Sequence, residues 1–190
     1  MTQKGRSQLS DREFQGYVHV RQDSSQCMFT LRANLESTKI KAAVKSATGV
    51  AFPNRGLCEV SEGCTLAWMS PDELLITVPT AQAQKLLNGL EAALEGLHVL
   101  LEDVSDARAK FILSGVHVRE VLGKLSPMDC HPAQFPVGSF NRTRFAQVAG
   151  AVFVEQEDLI SVFCFRSVKD YVFALFCDAA VPGSEVVLQE

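Results

Sequence analysis

The sequence predicts an α+β fold in which two duplicated split β-α-β (ferredoxin-like) units pack together. Strand-like and helix-like segments follow one another in the same order in each half of the chain. The pair Phe52-Pro53 is matched roughly 83 positions later by Phe135-Pro136, and the first strands, at Cys27 and Ala109, are roughly 82 positions apart. Neither half has enough apolar residues to form a stable hydrophobic core by itself, so we expect the two units to pack against each other.

Composition narrows the class of protein. The chain has 190 residues, of which 47% are hydrophobic, which suits one compact body. Its 18 basic and 22 acidic residues give a net charge of −4 without a basic run, so nucleic acid and anionic membranes are not expected partners. No segment approaches the roughly 18 consecutive apolar residues of a membrane span, and no apolar stretch follows the first basic residues. We therefore expect a cytoplasmic protein.

The expected domain organisation has two parts. Residues 1–24 are polar and are expected to form an N-terminal arm or an edge strand, with the strand-like segment at 17–20. Residues 25–190 are expected to form a single globular domain made of two pseudo-repeats, 25–104 and 105–190.

The first repeat opens with a strand, because Cys27, Phe29 and Leu31 alternate with their neighbours at a period of two. Asn34 is placed to cap the helix that follows, and Gly49 is placed to end it in a left-handed conformation.

A hairpin and a second helix complete the first repeat. Apolar runs at 65–69 and 74–78 flank the Ser-Pro-Asp-Glu turn, which favours antiparallel strands. Thr80 is placed to cap the next helix, and Gly96 offers its exit before a strand over 98–104.

The second repeat follows the same order. A strand over 109–113 leads to a helix that turns Val118, Val121, Leu122 and Leu125 inward. After a proline-bounded loop we expect strands in 143–155 and over 159–165, then a helix capped by Ser167 in an S/T-x-x-D/E pattern, and a last strand over 186–188.

The loop contains the densest cluster of chemically capable side chains, Asp129, Cys130 and His131. A nucleophilic thiolate would need the imidazole aimed at its sulfur, which sequence neighbours rarely achieve, and a metal would need further ligands that the other histidines do not supply. The alternative is structural: Asp129 closes the turn by accepting backbone N–H groups, and His131 braces it. The six cysteines include no C-x-x-C pair and are expected to be reduced core thiols.

Three arginines, Arg119, Arg142 and Arg144, follow or flank this loop. They can pair with an anionic ligand or with the carboxylates of a partner, or they can be solvated surface charges. Ser114-Gly115 ahead of a helix is a weak anion-binding signal, and no dinucleotide or Walker pattern accompanies it.

A family resemblance lies mainly in residues 105–180, with the first half similar in layout. Four motifs carry it: Ile-Leu-Ser-Gly at 112–115, Val-Arg-Glu-Val-Leu-Gly-Lys at 118–124, Pro-Met-Asp-Cys-His-Pro at 127–132 and Phe-Pro-Val-Gly at 135–138. Together with Arg166-Ser167 and Asp170-Tyr171 they closely resemble the signature of the gamma subunit of bacterial heterotetrameric sarcosine oxidase. Val116 stands where the family usually has proline, and Cys130 where it usually has leucine.

The resemblance implies a fold related to the folate-binding region of the glycine-cleavage T-protein. It also implies a noncatalytic subunit of a complex that oxidatively demethylates sarcosine to glycine, with hydrogen peroxide and 5,10-methylenetetrahydrofolate as co-products. No cofactor is expected in this chain. FAD, FMN, NAD, tetrahydrofolate and zinc are expected on the partners, which are the alpha, beta and delta subunits.

On this interpretation no residue of the chain is catalytic, and the loop and the strand after it form a candidate subunit interface. Its expected residues are Arg119, Asp129, His131, Phe135, Arg142 and Arg144. Two alternatives remain: a freestanding folate-dependent aminomethyltransferase-like protein, against which no general base is evident, and the equivalent subunit of a demethylase for another N-methyl amine.

Overall fold

Two antiparallel sheets lie face to face in the computed structural model, which describes residues 12–186. Each sheet is covered on its outer side by two helices, so the layers run helix, sheet, sheet, helix. This arrangement follows from the sequence, because the strands carry apolar residues on both faces and the helices on one.

The first sheet has five strands in the order β4-β5-β6-β3-β7. The elements of this half are β3 (Gln26–Arg32), α1 (Thr38–Thr48), β4 (Cys58–Ser61), β5 (Cys64–Ser70), β6 (Glu73–Pro79), α2 (Ala83–Ala93) and β7 (Leu100–Asp103).

The second sheet has six strands in the order β1-β2-β8-β11-β10-β9. Its elements are β1 (Glu13–Gln15), β2 (His19–Asp23), β8 (Arg108–Ser114), α3 (Val118–Leu125), β9 (Phe140–Phe145), β10 (Val148–Gln156), β11 (Leu159–Phe165) and α4 (Lys169–Ala179).

The order strand, helix, three strands, helix occurs once in β3 to α2 and again in β8 to α4. In both sheets the first strand of the unit pairs with the last strand of the hairpin, as β3 pairs with β6 and β8 with β11. The predicted α+β class with duplicated split β-α-β units is therefore confirmed.

The N-terminal segment contributes two strands to the sheet, of which the short β1 lies at the edge. Within the described residues, the strand begins at His19 rather than at Tyr17, and β2 pairs on one side with β8 and on the other with the short β1. The position that β7 takes beside β3 in the first sheet is thus filled in the second sheet by β2. The predicted last strand over 186–188 lies outside the described residues apart from Val186, and β2 already occupies the place beside β8.

Three helix caps differ from the prediction. Helix α1 begins three residues later than expected, because Ser37 accepts the Ile40 N–H while Asn34 closes a local turn with the Glu36 N–H. Thr80 turns its hydroxyl to the Ser25 carbonyl, and a 3₁₀ turn separates it from α2. A similar 3₁₀ turn separates Ser167 from the start of α4.

The predicted strand region 143–155 is a hairpin in the structure. Strand β9 pairs with β10 around a turn at Ala146, whose φ of 51° lies in the left-handed region. The sequence has no glycine or asparagine at this turn, so it gives no local signal of where one strand ends and the next begins.

The layer between the sheets combines an apolar centre with buried charges. Phe140, Phe153 and Phe163 of the second sheet pack with Met28 and Leu75 of the first. The charged residues of this layer are Asp23, Glu73, Arg108 and Lys110. Each half therefore depends on the other to cover one face of its sheet.

Candidate functional site

The proline-bounded loop over 126–139 is fastened to α3 by Arg119. Its Nη1 donates to the carbonyl oxygens of Cys130 and Phe135 at 3.0 and 2.8 Å, and its Nη2 lies 3.1 Å from Oε2 of Glu157. The Arg119 side chain is only 14% exposed, and its buried Nε has no hydrogen-bond partner among the described residues. Arg119 thus fixes the shape of the loop from within.

Asp129 and His131 stabilise the turn inside this loop. The Asp129 Oδ1 accepts the His131 N–H at 2.9 Å, and the His131 Nδ1 accepts the Ala133 N–H at 3.2 Å. The N–H of Phe135 donates to the His131 carbonyl at 2.9 Å. These hydrogen bonds are the ones expected if Asp129 closes the turn and His131 braces it, which is the structural alternative to a catalytic role.

Cys130 is not placed as a nucleophile. Burial raises the pKa of its thiol, and the nearby Asp129 raises it further, while Arg119 has the opposite effect. Nucleophilic cysteines need the reverse, an environment that favours the thiolate. A mostly apolar groove of about 540 Å³ borders the loop; it is lined by Arg119, Glu120, Gly123, Lys124, Cys130, His131, Pro132 and Val186.

Phe135 is not at the surface, contrary to the expected interface. Its ring is 2% exposed and belongs to the core under α3 and α4. The loop turns inward at this point because Phe135 gains more from burial than from exposure, by roughly 1.5 to 3 kcal/mol for a side chain of this size. Its backbone carbonyl, rather than its ring, takes part in the site.

Arg142 and Arg144 are exposed on β9, at an edge of the six-stranded sheet. They share a face with Phe140, which packs between the two sheets. Thr143 points to the other face, where its hydroxyl lies 2.6 Å from the Ser126 hydroxyl at the end of α3. The six expected residues are therefore not brought together: Arg119, Asp129 and His131 lie on the helix side, and Arg142 and Arg144 on the other.

A second polar cluster next to the groove was not predicted. The Lys124 Nζ donates to the Tyr17 hydroxyl at 2.7 Å, and the Tyr17 hydroxyl donates to Glu120 Oε1 at 3.1 Å. Glu120 also accepts the Val186 N–H at 2.6 Å, and Lys124 donates to the Ser184 carbonyl. The i, i+4 spacing of Glu120 and Lys124 was the only signal in the sequence, since the other partners are distant in the chain.

Neither a metal centre nor a membrane span is found in the described part of the chain. Residues 12–186 contain no group of three or more His, Cys, Asp or Glu side chains arranged to bind a metal ion. Among the same residues, no helix is both long enough and apolar enough to cross a bilayer.

Comparison with known protein families gives one match. The model of the family described as "Sarcosine oxidase, gamma subunit family" matches residues 32–182. Among curated proteins, the chain is 33% identical over 109 residues to sarcosine oxidase subunit gamma of Arthrobacter sp, covering 56% of this chain and 53% of the relative. The same subunit of Corynebacterium sp. (strain U-96) is 34% identical over 110 residues, covering 56% and 52%. The chain thus spans about half the length of the curated relatives it matches.

Solved structures show the same relationship. A chain of the heterotetrameric sarcosine oxidase from Corynebacterium sp. U-96, solved in complex with pyrrole 2-carboxylate, superposes with a TM-score of 0.80 at 28% identity, covering 88% of this chain and 87% of that chain. The glycine cleavage system aminomethyltransferase T from Bartonella henselae superposes with a TM-score of 0.58 at 14% identity, covering 84% of this chain and 45% of the other. The second likeness concerns the fold alone.

Proposed function

The chain belongs to the sarcosine oxidase gamma subunit family, and on this premise we propose that it is the noncatalytic gamma subunit of a heterotetrameric sarcosine oxidase. The single observation that supports this most strongly is the superposition over 88% of this chain and 87% of a chain of such an enzyme. The whole complex would convert sarcosine, oxygen and tetrahydrofolate into glycine, hydrogen peroxide and 5,10-methylenetetrahydrofolate.

The side chains of the loop support a noncatalytic role. Asp129 and His131 are engaged in the turn, and burial raises the pKa of the Cys130 thiol. The proposal therefore assigns the flavins FAD and FMN, NAD, tetrahydrofolate and zinc to the alpha, beta and delta subunits, and it keeps the cytoplasmic location expected from the sequence.

The proposed contact surface has two parts. One is the outer side of the loop, with His131 and the exposed part of the Asp129 turn, which Arg119 holds in shape. The other is the edge strand β9 with Arg142 and Arg144. Phe135 is left out of this surface, because its ring lies in the core.

Co-expression tests the proposal. This chain, carrying an affinity tag, is produced together with the alpha, beta and delta subunits, and the purified material is weighed by native mass spectrometry. The expected result is a complex with one copy of each chain. Recovery of the tagged chain alone, while the other three subunits assemble without it, would contradict the proposal.

The alternative is a freestanding folate-dependent protein, with which this chain shares a fold, as the TM-score of 0.58 with the aminomethyltransferase T indicates. Calorimetric titration of the purified chain with tetrahydrofolate separates the two, since only the freestanding protein needs a folate site of its own. The other alternative is a subunit of a demethylase for another N-methyl amine. Comparing the turnover of the assembled complex on sarcosine and on dimethylglycine distinguishes it from the proposed function.

A further inference from the structure

Strand β9 forms one edge of the six-stranded sheet, and most of its outer side is unpaired. On its inner side it pairs along its whole length with β10. On its outer side the Phe140 N–H donates to the Gly56 carbonyl at 2.7 Å, and just before it the Cys58 N–H donates to the Gly138 carbonyl at 2.8 Å. Between residues 141 and 145, no described residue pairs with the outer side.

The direction of the free backbone groups follows from strand geometry. In an antiparallel strand, alternate residues turn their N–H and C=O groups to the same side. Because the Phe140 N–H points away from β10, those of Arg142 and Arg144 point away as well. The outer edge therefore offers two N–H donors and two carbonyl acceptors in one row, as a strand-adding partner requires.

The side chains along this edge are cationic. Arg142 and Arg144 are both exposed, and neither forms an ion pair with a carboxylate of residues 12–186. Burial lowers the pKa of the neighbouring Arg108, Glu73 opposes this effect, and the positive charges of Arg142 and Arg32 lower the pKa further. A hydrogen bond from Ser70 lowers the pKa of Asp72, which lies at the same rim, and the charge of Arg142 also helps to lower it. The four arginines of this rim, Arg32, Arg108, Arg142 and Arg144, therefore outnumber its two carboxylates, Asp72 and Glu73.

We propose that the outer edge of β9 binds an extended acidic segment of a partner subunit, which adds to the sheet as a seventh strand. Alternate residues of that segment would lie on the face of Arg142 and Arg144, so an acidic residue at every second position places carboxylates opposite both guanidinium groups. Arginine is suited to this role, because its planar guanidinium binds a carboxylate through two hydrogen bonds. The inference rests on the proposed function, and it names the chemistry of one contact in the complex.

A second copy of this chain fits the edge less well. If two β9 strands paired around a two-fold axis at Thr143, Arg142 of each copy would lie opposite Arg144 of the other, and like charges directly opposite are destabilising. Pairing of β9 with the acidic strand β7 of another copy, which carries Glu102 and Asp103, would not close and would produce open chains of molecules. An acidic strand from a different subunit avoids both problems.

The test reverses the charge of the edge within the co-expressed complex. The variant Arg142→Glu/Arg144→Glu is compared with Lys39→Glu/Lys85→Glu, which makes the same change of charge on exposed positions of α1 and α2. The affinity of the edge variant for the partner subunits is expected to fall by a factor on the order of ten or more, while the control is expected to keep the affinity of the wild type. Circular dichroism and thermal unfolding of each isolated variant establish that it is folded.

Hydrogen exchange on the wild-type complex adds a readout that a purely electrostatic effect would not change. Amides of the segment 140–146 are expected to exchange more slowly in the complex than in the isolated chain. If the wild type assembles while the edge variant assembles equally well and these amides stay unprotected, the inference is overturned and the proposed function stands. If the wild type does not assemble, both are overturned. If the isolated wild-type chain self-associates through this edge, the inference is also overturned, because the strand that binds there is then a second copy of this chain and not an acidic segment of a partner subunit.

Discussion

Glu73 and Arg108 form an ion pair between the two halves of the molecule, with Glu73 Oε1 at 3.4 Å from Arg108 Nη2. Both side chains lie in the layer between the sheets, where the Glu73 side chain is 6% and the Arg108 side chain 14% exposed. The second carboxylate oxygen of Glu73 binds Arg32 of its own sheet at 2.8 Å. One buried carboxylate therefore balances two arginines at the junction of the two sheets.

Replacing Glu73 with alanine is expected to destabilise the fold by about 3 to 5 kcal/mol, because the largely buried Arg108 is then left without its counter-charge. Urea unfolding monitored by circular dichroism measures the free energy of unfolding. The neighbouring Asp72→Ala is the matched control, since Asp72 is exposed and its loss is expected to have a much smaller effect. Equal effects of the two substitutions would show that the pair between the sheets is not important for stability.

Arg119→Ala is expected to loosen the loop rather than unfold the protein. It removes two charge-assisted bonds to loop carbonyls, at a cost of about 1.5 to 3 kcal/mol each at most, and leaves the core intact. Limited proteolysis within 126–138 should become faster, while Arg144→Ala, which removes an exposed arginine, should leave the cleavage rate unchanged. Unaltered proteolysis of the Arg119 variant would contradict the role assigned to this side chain.

Stability is expected to fall in acid partly through Asp23. Burial by itself raises the pKa of this carboxyl, but hydrogen bonds from Ser25 and the charge of Lys110 together outweigh burial and lower the pKa below its usual 3.8. A carboxyl whose pKa is lowered by folding contributes stability above the unfolded value, and that contribution is lost as the pH falls through the folded pKa. The difference in unfolding free energy between the wild type and Asp23→Asn should therefore be largest at neutral pH and shrink below pH 3.8. A difference that stays constant from pH 7 to pH 3 would refute this assignment.

The native thiols are expected to react slowly with a thiol reagent at pH 8. None of the six cysteines, which all lie within residues 12–186, forms a disulfide, and burial raises the pKa of Cys164 to about 12 and that of Cys64 to about 11, so little thiolate forms. Cys130 and Cys177 are half-buried and should react first. Six thiols should react at once in denaturant. Fast reaction of Cys64 or Cys164 in the native protein would contradict their burial.

The parts of the fold that the sequence predicted are those with local signals. Gly49 ends α1 with a φ of 69°, as expected for a residue that adopts the left-handed conformation without strain. The two repeats could be predicted because the same Phe-Pro turn occurs in each half, at Phe52-Pro53 and at Phe135-Pro136. The sequence predicts Asn34 as the cap of α1, whereas the structure has Ser37, because both are good capping residues and Asn34 closes a separate turn.

The parts that the sequence did not predict depend on distant residues. No local sequence pattern indicates that β2 pairs with β8, which lies roughly 90 positions further along the chain. The sequence predicted a C-terminal strand over 186–188 instead. The burial of Phe135 depends on the core that α3 and α4 build beneath the loop. The hydrogen bonds from Arg119 to the carbonyl groups of Cys130 and Phe135 likewise depend on the loop folding back against α3, which the sequence does not indicate.

The most direct test of the proposed function compares sarcosine-dependent formation of hydrogen peroxide in three preparations: the four-subunit complex, the same co-expression without this chain, and this chain alone. The account predicts full turnover in the first, loss of assembled and active enzyme in the second, and none in the third. It would be contradicted if the three other subunits assembled and turned over sarcosine at the full rate without this chain, or if this chain oxidised sarcosine by itself.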